Sequence, residues 1–215
     1  NTWFEIPPEA DGYTDAAKVR LPADATVLGF LPHMHLRGKS CNYEAVFADG
    51  TREKLLDIPR YDFNWQLFYR YAEPRTFKKG TVLRFNATFD NSAGNPANPN
   101  PKTAVRWGEQ TNDEMLVGYI EYYTPLGNNE AQLDAAATGQ PALAGDREAM
   151  QFSSLDANDD DRLSLEEVRR LTEHPRLKVN PAMVGVAFGT LDADKDGFLT
   201  FEEFRKLREL FRKKN

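Results

Sequence analysis

Histidine and cysteine are both scarce in this chain, with three histidines and one cysteine among 215 residues. The single cysteine, Cys41, excludes an internal disulfide framework and a zinc cluster built on cysteines, and it leaves the compartment open. No apolar run approaches the about 18 residues that a membrane-crossing helix needs. No serine-nucleophile elbow or phosphate-binding glycine loop occurs, and the sequence singles out no catalytic residue. The net charge of −6 has the wrong sign for a nucleic-acid surface. Neither a methionine nor a signal peptide opens the chain, and its start at Asn1 is read as the loss of an upstream segment. The composition is globular, and the length suits one large domain or two modest ones.

Residues 1–125 read as β structure. In "NYEAVFADGTREKLL" two strand-like runs flank Asp49-Gly50, a pair that tolerates the positive φ angles of a tight hairpin turn. In "TVLRFNATFD" Leu83, Phe85, Ala87 and Phe89 alternate with Val82, Arg84, Asn86 and Thr88, the period of a half-buried strand. "MLVGYIEYY" is rich in β-branched and aromatic residues and reads the same way. Proline and glycine in "NSAGNPANPNP" forbid regular structure. Short strands separated by turn signals predict an antiparallel, jelly-roll-like β-sandwich.

Residues 126–146 are small, polar and unpatterned, and are read as a linker. Over 147–215 the period becomes helical, which predicts an all-α module. Phe201, Phe204, Leu207 and Phe211 line one helix face, and Leu165, Val168 and Leu171 form a shorter stripe. Thr200 with Glu203 is a capping-box pattern, and Asn180-Pro181 is a helix start.

Two acidic segments repeat within this half, "DANDDDRLSLEE" from Asp156 and "DADKDGFLTFEE" from Asp192. A hard cation such as Ca²⁺ requires six to eight oxygens at short range, and a twelve-residue loop delivers them at positions 1, 3, 5, 7, 9 and 12. The second loop supplies Asp192, Asp194, Asp196, the Phe198 carbonyl, Thr200 and Glu203, with Gly197 at the sharp turn. The first supplies Asp156, Asn158, Asp160, the Arg162 carbonyl, Ser164 and Glu167. It has Asp161 in place of the turn glycine and Asn158 in place of a carboxylate, so it is expected to be the weaker site. The pair resembles EF-hands, with an apolar residue, Leu163 or Leu199, at position 8 of each loop. The competing reading is two solvated acidic turns. Without an evident methionine-rich groove, bound calcium is read as structural rather than sensory. A protein partner for this module remains open.

Two of the three histidines lie in "LPHMHLRG". If the strand that reaches Pro32 stays extended, His33 and His35 share one face and Met34 takes the other. The pair is either half of a metal site or two surface histidines. The order "LPHMHLRGKS", "NWQ", "FDNS", "NPNP" and "WGEQTNDEM" resembles the C-terminal domain of the copper type II, ascorbate-dependent monooxygenases, a family that includes peptidylglycine α-hydroxylating monooxygenase and dopamine β-monooxygenase. The resemblance implies one copper held by His33, His35 and Met115. A thioether favours Cu(I), imidazole suits either oxidation state, and three protein ligands leave a position open. Read without the family, Met115 is a core methionine packed with Val117 and Tyr119.

The resemblance also implies a second copper, on a separate N-terminal domain with three further histidines that supplies electrons. Only His174 remains here, so that domain is expected upstream or on a partner. The function implied is the O₂-activating half of a monooxygenase-like oxidoreductase, with one copper and two calcium ions, in an extracellular or periplasmic setting. The alternative is a calcium-stabilised binding module, or a copper carrier or electron-transfer domain. Of the remaining candidates, Cys41 lies close in sequence to His35 and is read as a small hydrophobe, with a metal ligand as the alternative. Asp113 and Glu114 are read first as surface carboxylates, with an acid–base pair or a supporting role behind the metal ligands as the alternatives. Arg37 and Lys39 are either solvated or placed to attract an anion. Asn64-Trp65-Gln66 is a candidate for orienting a histidine through its second ring nitrogen.

Overall fold

The computed structural model describes residues 4–21, 23–124, 151–158, 160–172 and 179–206. The chain forms two compact units, Asn1–Gly127 and Asn128–Asn215. The stretch read as a linker, together with His174, Leu207 and Phe211, lies outside the described residues.

The first unit is built from β1 (Glu5–Ile6), β2 (Asp11–Arg20), β3 (Ala25–His33), β4 (Gly38–Val46), β5 (Arg52–Ile58), β6 (Tyr69–Phe77), β7 (Val82–Asp90), β8 (Val105–Arg106) and β9 (Val117–Tyr123). A four-stranded sheet runs β2-β7-β4-β5 and a three-stranded sheet runs β6-β3-β9, every pairing antiparallel. This is the sandwich expected from the alternating strands. In β7, Leu83, Phe85, Ala87 and Phe89 are all buried while Arg84, Asn86 and Thr88 are half-exposed, as the period of two dictates. The β4–β5 hairpin turns where Gly50 takes φ +80°, and Asp49 Oδ1 accepts from the Thr51 amide at 2.9 Å and its hydroxyl at 2.6 Å.

The core lies between the two sheets. Tyr43 sits at its centre, with ring centroids 4.4 Å from Phe30 and 4.8 Å from Phe85. Its buried hydroxyl donates to the Tyr119 carbonyl at 3.2 Å, so the phenol is satisfied while its ring fills the core. Gly118 explains how closely the sheets approach here. A Cβ at that position would stand 2.6 Å from the Phe85 Cβ and 3.0 Å from the Tyr43 ring.

Alternation along β3, the central strand of the smaller sheet, sorts its residues. Phe30, Pro32 and then Met34 are buried toward the core, while Leu31 and His33 are partly exposed on the outer face. The strand ends at His33, opposite Val117. The proline- and asparagine-rich stretch after β7 is irregular, as its composition predicts. Its polar side chains replace the missing ladder: Asn91 Nδ2 donates to the carbonyls of Pro7 (2.8 Å) and Thr103 (3.0 Å), and Asn95 Nδ2 donates to those of Leu36 (3.1 Å) and Asp90 (2.9 Å).

In the second unit, residues 151–155 are helical, followed by α1 (Leu165–Arg169), a 3₁₀ turn (Arg170–Thr172), α2 (Pro181–Leu191) and α3 (Phe201–Arg205). Two short strands, β10 (Leu163–Ser164) and β11 (Phe198–Leu199), pair antiparallel, with Leu163 directly opposite Leu199. Both leucines are fully buried, and Phe152 packs edge-on against Phe201 and Phe204 with centroids at 5.5 and 5.6 Å. Capping boxes start α1 at Ser164–Glu167 and α3 at Thr200–Glu203, and Asn180 caps α2 ahead of Pro181.

Candidate metal centres

His33 and His35 leave the end of β3 with ring centroids 5.2 Å apart and ring planes nearly perpendicular. The hydrogen bonds of each ring decide its tautomer. Gln66 Nε2 donates to the Phe63 carbonyl at 2.8 Å, which fixes the amide so that Oε1 faces His33 Nδ1 at 2.6 Å. An amide oxygen only accepts, so Nδ1 carries the proton and Nε2 is left for a metal. His35 Nδ1 faces the Asp113 carbonyl at 3.3 Å, and the same argument puts its proton on Nδ1 and the lone pair on Nε2. Burial holds His35 below the ordinary imidazole range, which keeps the ring neutral at neutral pH, as a ligand must be. Of the "NWQ" motif, Gln66 is the residue that orients a histidine, while Trp65 is exposed.

The backbone between the two histidines has left the ladder, and side chains hold it instead. Tyr61 clasps Met34 from both sides: its hydroxyl accepts from the Met34 amide at 3.0 Å and donates to the Met34 carbonyl at 2.7 Å. Burial raises the Tyr61 hydroxyl far above its ordinary pKa, so it stays protonated and able to donate. Gly38 lets the clasp close, since a Cβ there would lie 2.7 Å from the Tyr61 ring and 2.9 Å from the Met34 Cβ.

Met115 lies just ahead of β9, the other neighbour of β3. The β3–β9 register runs through Pro32 opposite Gly118 and His33 opposite Val117. Met115 precedes β9 by two residues, beyond the last rung, and its backbone is linked to that of His35 through Glu114 Oε1, which accepts from both amides. Met115 is half-buried, Val117 likewise, and Tyr119 is exposed. None of the three belongs to the buried core, which removes the basis for reading Met115 as a packed core methionine.

The leading reading of Glu114 is corrected, and of the two readings of Arg37 the solvated one falls. Glu114 is not a surface carboxylate but is wholly buried. Its Oε1 accepts from the His35 amide and, at 3.0 Å, from the Met115 amide, and its Oε2 accepts from the Arg37 amide at 3.0 Å. Burial pushes its carboxyl up to about 7, against the pull of those three donors and of the Arg37 charge. Arg37, at 1% exposure, is not solvated either. Its Nε donates to Asn91 Oδ1 at 2.9 Å and its Nη1 to the Asn112 carbonyl at 3.0 Å. Adjacent acidic residues in a polar stretch give no sign of burial, so only the fold exposes this arrangement. Lys39, by contrast, is exposed and pairs with Asp11. Cys41 is buried in the core and its thiol is pushed up to about 12 by burial, as befits an inert small hydrophobe.

In the second unit the two acidic loops fold alike. Asp192, Asp194 and Asp196 bring carboxylate oxygens within 4.8 Å of one another. Gly197 takes φ +85° at the sharp turn, and its amide donates to Asp192 Oδ2 at 3.1 Å. Asp192 Oδ1 is buried and accepts no hydrogen bond, a costly state for a carboxylate unless a cation meets it. Phe198 N donates to Asp196 Oδ1 at 2.8 Å. Glu203 accepts from the amides of Ala193 and Thr200, each at 2.9 Å, and from the Thr200 hydroxyl at 2.8 Å. The first loop repeats these contacts. Asp161 N donates to Asp156 Oδ2 at 3.1 Å, Arg162 N to Asp160 Oδ1 at 3.0 Å, Asp160 N to Asn158 Oδ1 at 3.1 Å, and Ala157 N and Ser164 N to Glu167 at 2.9 and 2.8 Å. Asp161 adopts φ +71° where the second loop has glycine. That is the left-handed region into which the loop geometry forces position 6.

No individually curated protein matches the chain. The family model for an EF-hand domain pair matches residues 148–208. The model for the copper type II ascorbate-dependent monooxygenase C-terminal domain matches residues 5–138, more than half of the chain and the whole of the sandwich with its histidine pair. The chain thus belongs to the copper type II ascorbate-dependent monooxygenase family through its C-terminal domain, here joined to an EF-hand pair.

Proposed function

We propose that the sandwich is the copper-binding, O₂-activating half of a monooxygenase-like oxidoreductase, with one copper held by Nε2 of His33, Nε2 of His35 and the thioether of Met115. The observation that carries this reading is the pair of imidazoles on one sheet face, each with Nδ1 committed to an acceptor and Nε2 left as the ligand atom. The donor set fits the metal: two imidazoles suit both oxidation states, and a soft thioether favours Cu(I). Bound copper would supply one-electron chemistry toward O₂. The chain's own part is to hold His35 neutral, to orient His33 through Gln66, and to fix the His-Met-His backbone through Tyr61 and Glu114.

Electrons for such chemistry have to arrive from elsewhere, and an electron-donating domain, upstream or on a separate chain, is proposed as the partner. The EF-hand pair is proposed to bind two calcium ions, the first through Asp156, Asn158, Asp160, the Arg162 carbonyl, Ser164 and Glu167. The second ion takes Asp192, Asp194, Asp196, the Phe198 carbonyl, Thr200 and Glu203. The domain limits proposed are 1–125 for the copper domain, 126–146 for a linker and 147–215 for the calcium module. Calcium as a structural element suits a compartment where the free ion is abundant, so an extracellular or periplasmic location is proposed.

The test is elemental analysis after dialysis against Cu(I) under nitrogen and Ca²⁺, followed by an ascorbate-driven O₂-uptake assay. One copper and two calcium ions per chain support the reading. A chain that takes up calcium but no copper contradicts the oxidoreductase half of it.

A further inference from the structure

Beyond His33 the β3–β9 ladder supplies no further rungs, yet the His35 and Met115 backbones have to be held close for both side chains to reach one metal ion. A single side chain spans that gap. Glu114 Oε1 accepts from the backbone amides of both His35 and Met115, and Oε2 accepts from the amide of Arg37. The anchor for this reach is rigid. The Glu114 amide donates to the Arg106 carbonyl at 3.2 Å, and its own carbonyl accepts from the Gly108 amide at 3.1 Å. The far side of the turn is rigid too, since the Arg37 side chain is tied to Asn91 and to the Asn112 carbonyl.

We infer that Glu114 is a positioning residue, whose buried carboxylate sets the separation of the His35 and Met115 backbones and so decides whether the Met115 thioether joins the two imidazoles on copper. This rests on the copper reading above. Glu114 does not touch the metal. It acts through the backbone, as a side-chain link beyond the last rung of the ladder. The chemical consequence is specific to oxidation state. Imidazoles serve Cu(I) and Cu(II) alike, whereas a thioether favours Cu(I). Moving Met115 away from His35 therefore weakens Cu(I) and leaves Cu(II) nearly unchanged.

Reach, not charge, is the property required, and two substitutions separate them. Glu114→Gln keeps the length, and its amide oxygen can still accept from both the His35 and Met115 amides, at the expense of the Arg37 contact. Glu114→Asp keeps the charge but is one methylene too short to span from its own backbone to both amides. Cu(I) affinity by anaerobic competition with a chromophoric chelator, Cu(II) affinity by competition with glycine, and the copper–sulfur shell in X-ray absorption are measured on the whole chain with calcium present. For Glu114→Asp the expected result is a loss of Cu(I) affinity of about tenfold or more, a Cu(II) change under about threefold, and a weakened or absent sulfur shell. Glu114→Gln is expected to stay within about threefold of the parent in both affinities and to keep the shell.

A Glu114→Asp protein with the parent's sulfur shell and Cu(I) affinity overturns the positioning role while leaving the copper site intact. A folded Glu114→Gln protein that loses Cu(I) and Cu(II) affinity together also overturns it, whatever the fate of the Asp variant, because that pattern reports charge or general damage. A parent protein with no sulfur shell at all contradicts the copper assignment itself, and the positioning role falls with it.

Discussion

Replacing Gln66 by alanine tests the orientation of His33 in isolation, because Gln66 contributes to this centre through a hydrogen bond and nothing else. In the intact site Oε1 accepts from His33 Nδ1 at 2.6 Å, and the amide is held in that sense by Nε2 donating to the Phe63 carbonyl. The alanine variant removes the acceptor, so His33 no longer favours the tautomer with Nε2 available, and its ring is free to rotate. Loss of a hydrogen-bond partner behind a ligating histidine costs about 10–100-fold in metal affinity. His33 and Gln66 are both only half-buried, so water can take over part of the acceptor role. That places the expected loss at the low end, about tenfold or about 1.4 kcal/mol in Cu(I) binding. The readout is anaerobic Cu(I) competition titration of Gln66→Ala beside the parent, with melting temperatures recorded for both. Unlike a shortened Glu114, this variant should weaken Cu(II) as well, because an imidazole and not the thioether is disturbed. Unchanged copper affinity in a folded Gln66→Ala protein would refute the assignment of Gln66 as the partner that orients a ligand.

Other consequences follow from packing and loop geometry. Gly118→Ala puts a methyl group 2.6 Å from the Phe85 Cβ, an overpacking expected to cost about 1–3 kcal/mol and to lower the midpoint of the sandwich's unfolding transition in urea; an unchanged midpoint would mean that the sheets can part at no cost. Asp161→Gly relieves a left-handed backbone at φ +71° and should strengthen calcium binding in the first loop by roughly fivefold in isothermal titration, narrowing its deficit against the second loop. Glu203→Gln and Glu167→Gln should each remove one of two calcium-binding events, with the tighter event lost in the Glu203 variant. Cys41, with its thiol pushed up to about 12, should react with iodoacetamide at pH 8 at least about a hundredfold more slowly in the folded protein than in urea, as followed by mass spectrometry.

The parts of this molecule that were legible in the sequence are those written in short-range periods. The alternation of Leu83, Phe85, Ala87 and Phe89 forecasts both β7 and its buried face, and Asp49-Gly50 forecasts the β4–β5 turn. Thr200–Glu203 and Asn180–Pro181 mark helix starts where helices begin. The twelve-residue loops are legible because their oxygens are close in sequence as well as in space. The histidine pair is legible for the same reason, since residues two apart at a strand end stay close, here with ring centroids 5.2 Å apart.

What the sequence does not reveal is what lies far along the chain and close in space. Glu114 reads as one of two adjacent acidic residues in a polar stretch, and nothing local signals that it reaches across to residues 35 and 37. The sequence leaves Arg37 either solvated or facing an anion, as exposed arginines are, yet Asn91 and the carbonyl of Asn112 hold its buried guanidinium. Tyr61 gave no sequence signal, although its clasp on Met34 decides how the histidine turn is held. In each case a polar side chain takes over where strand pairing stops. That substitution depends on the ends of two ladders meeting, which no local pattern encodes.

The account stands or falls on the set of atoms around copper. The most direct measurement is X-ray absorption at the copper edge of the Cu(I)-loaded protein, beside a Met115→Ala variant loaded the same way. The account predicts two nitrogen scatterers of imidazole type and one sulfur scatterer in the parent, with the sulfur absent and the imidazoles retained in the variant. A sulfur shell that survives the substitution, or a parent protein that holds no copper through imidazole, would contradict it.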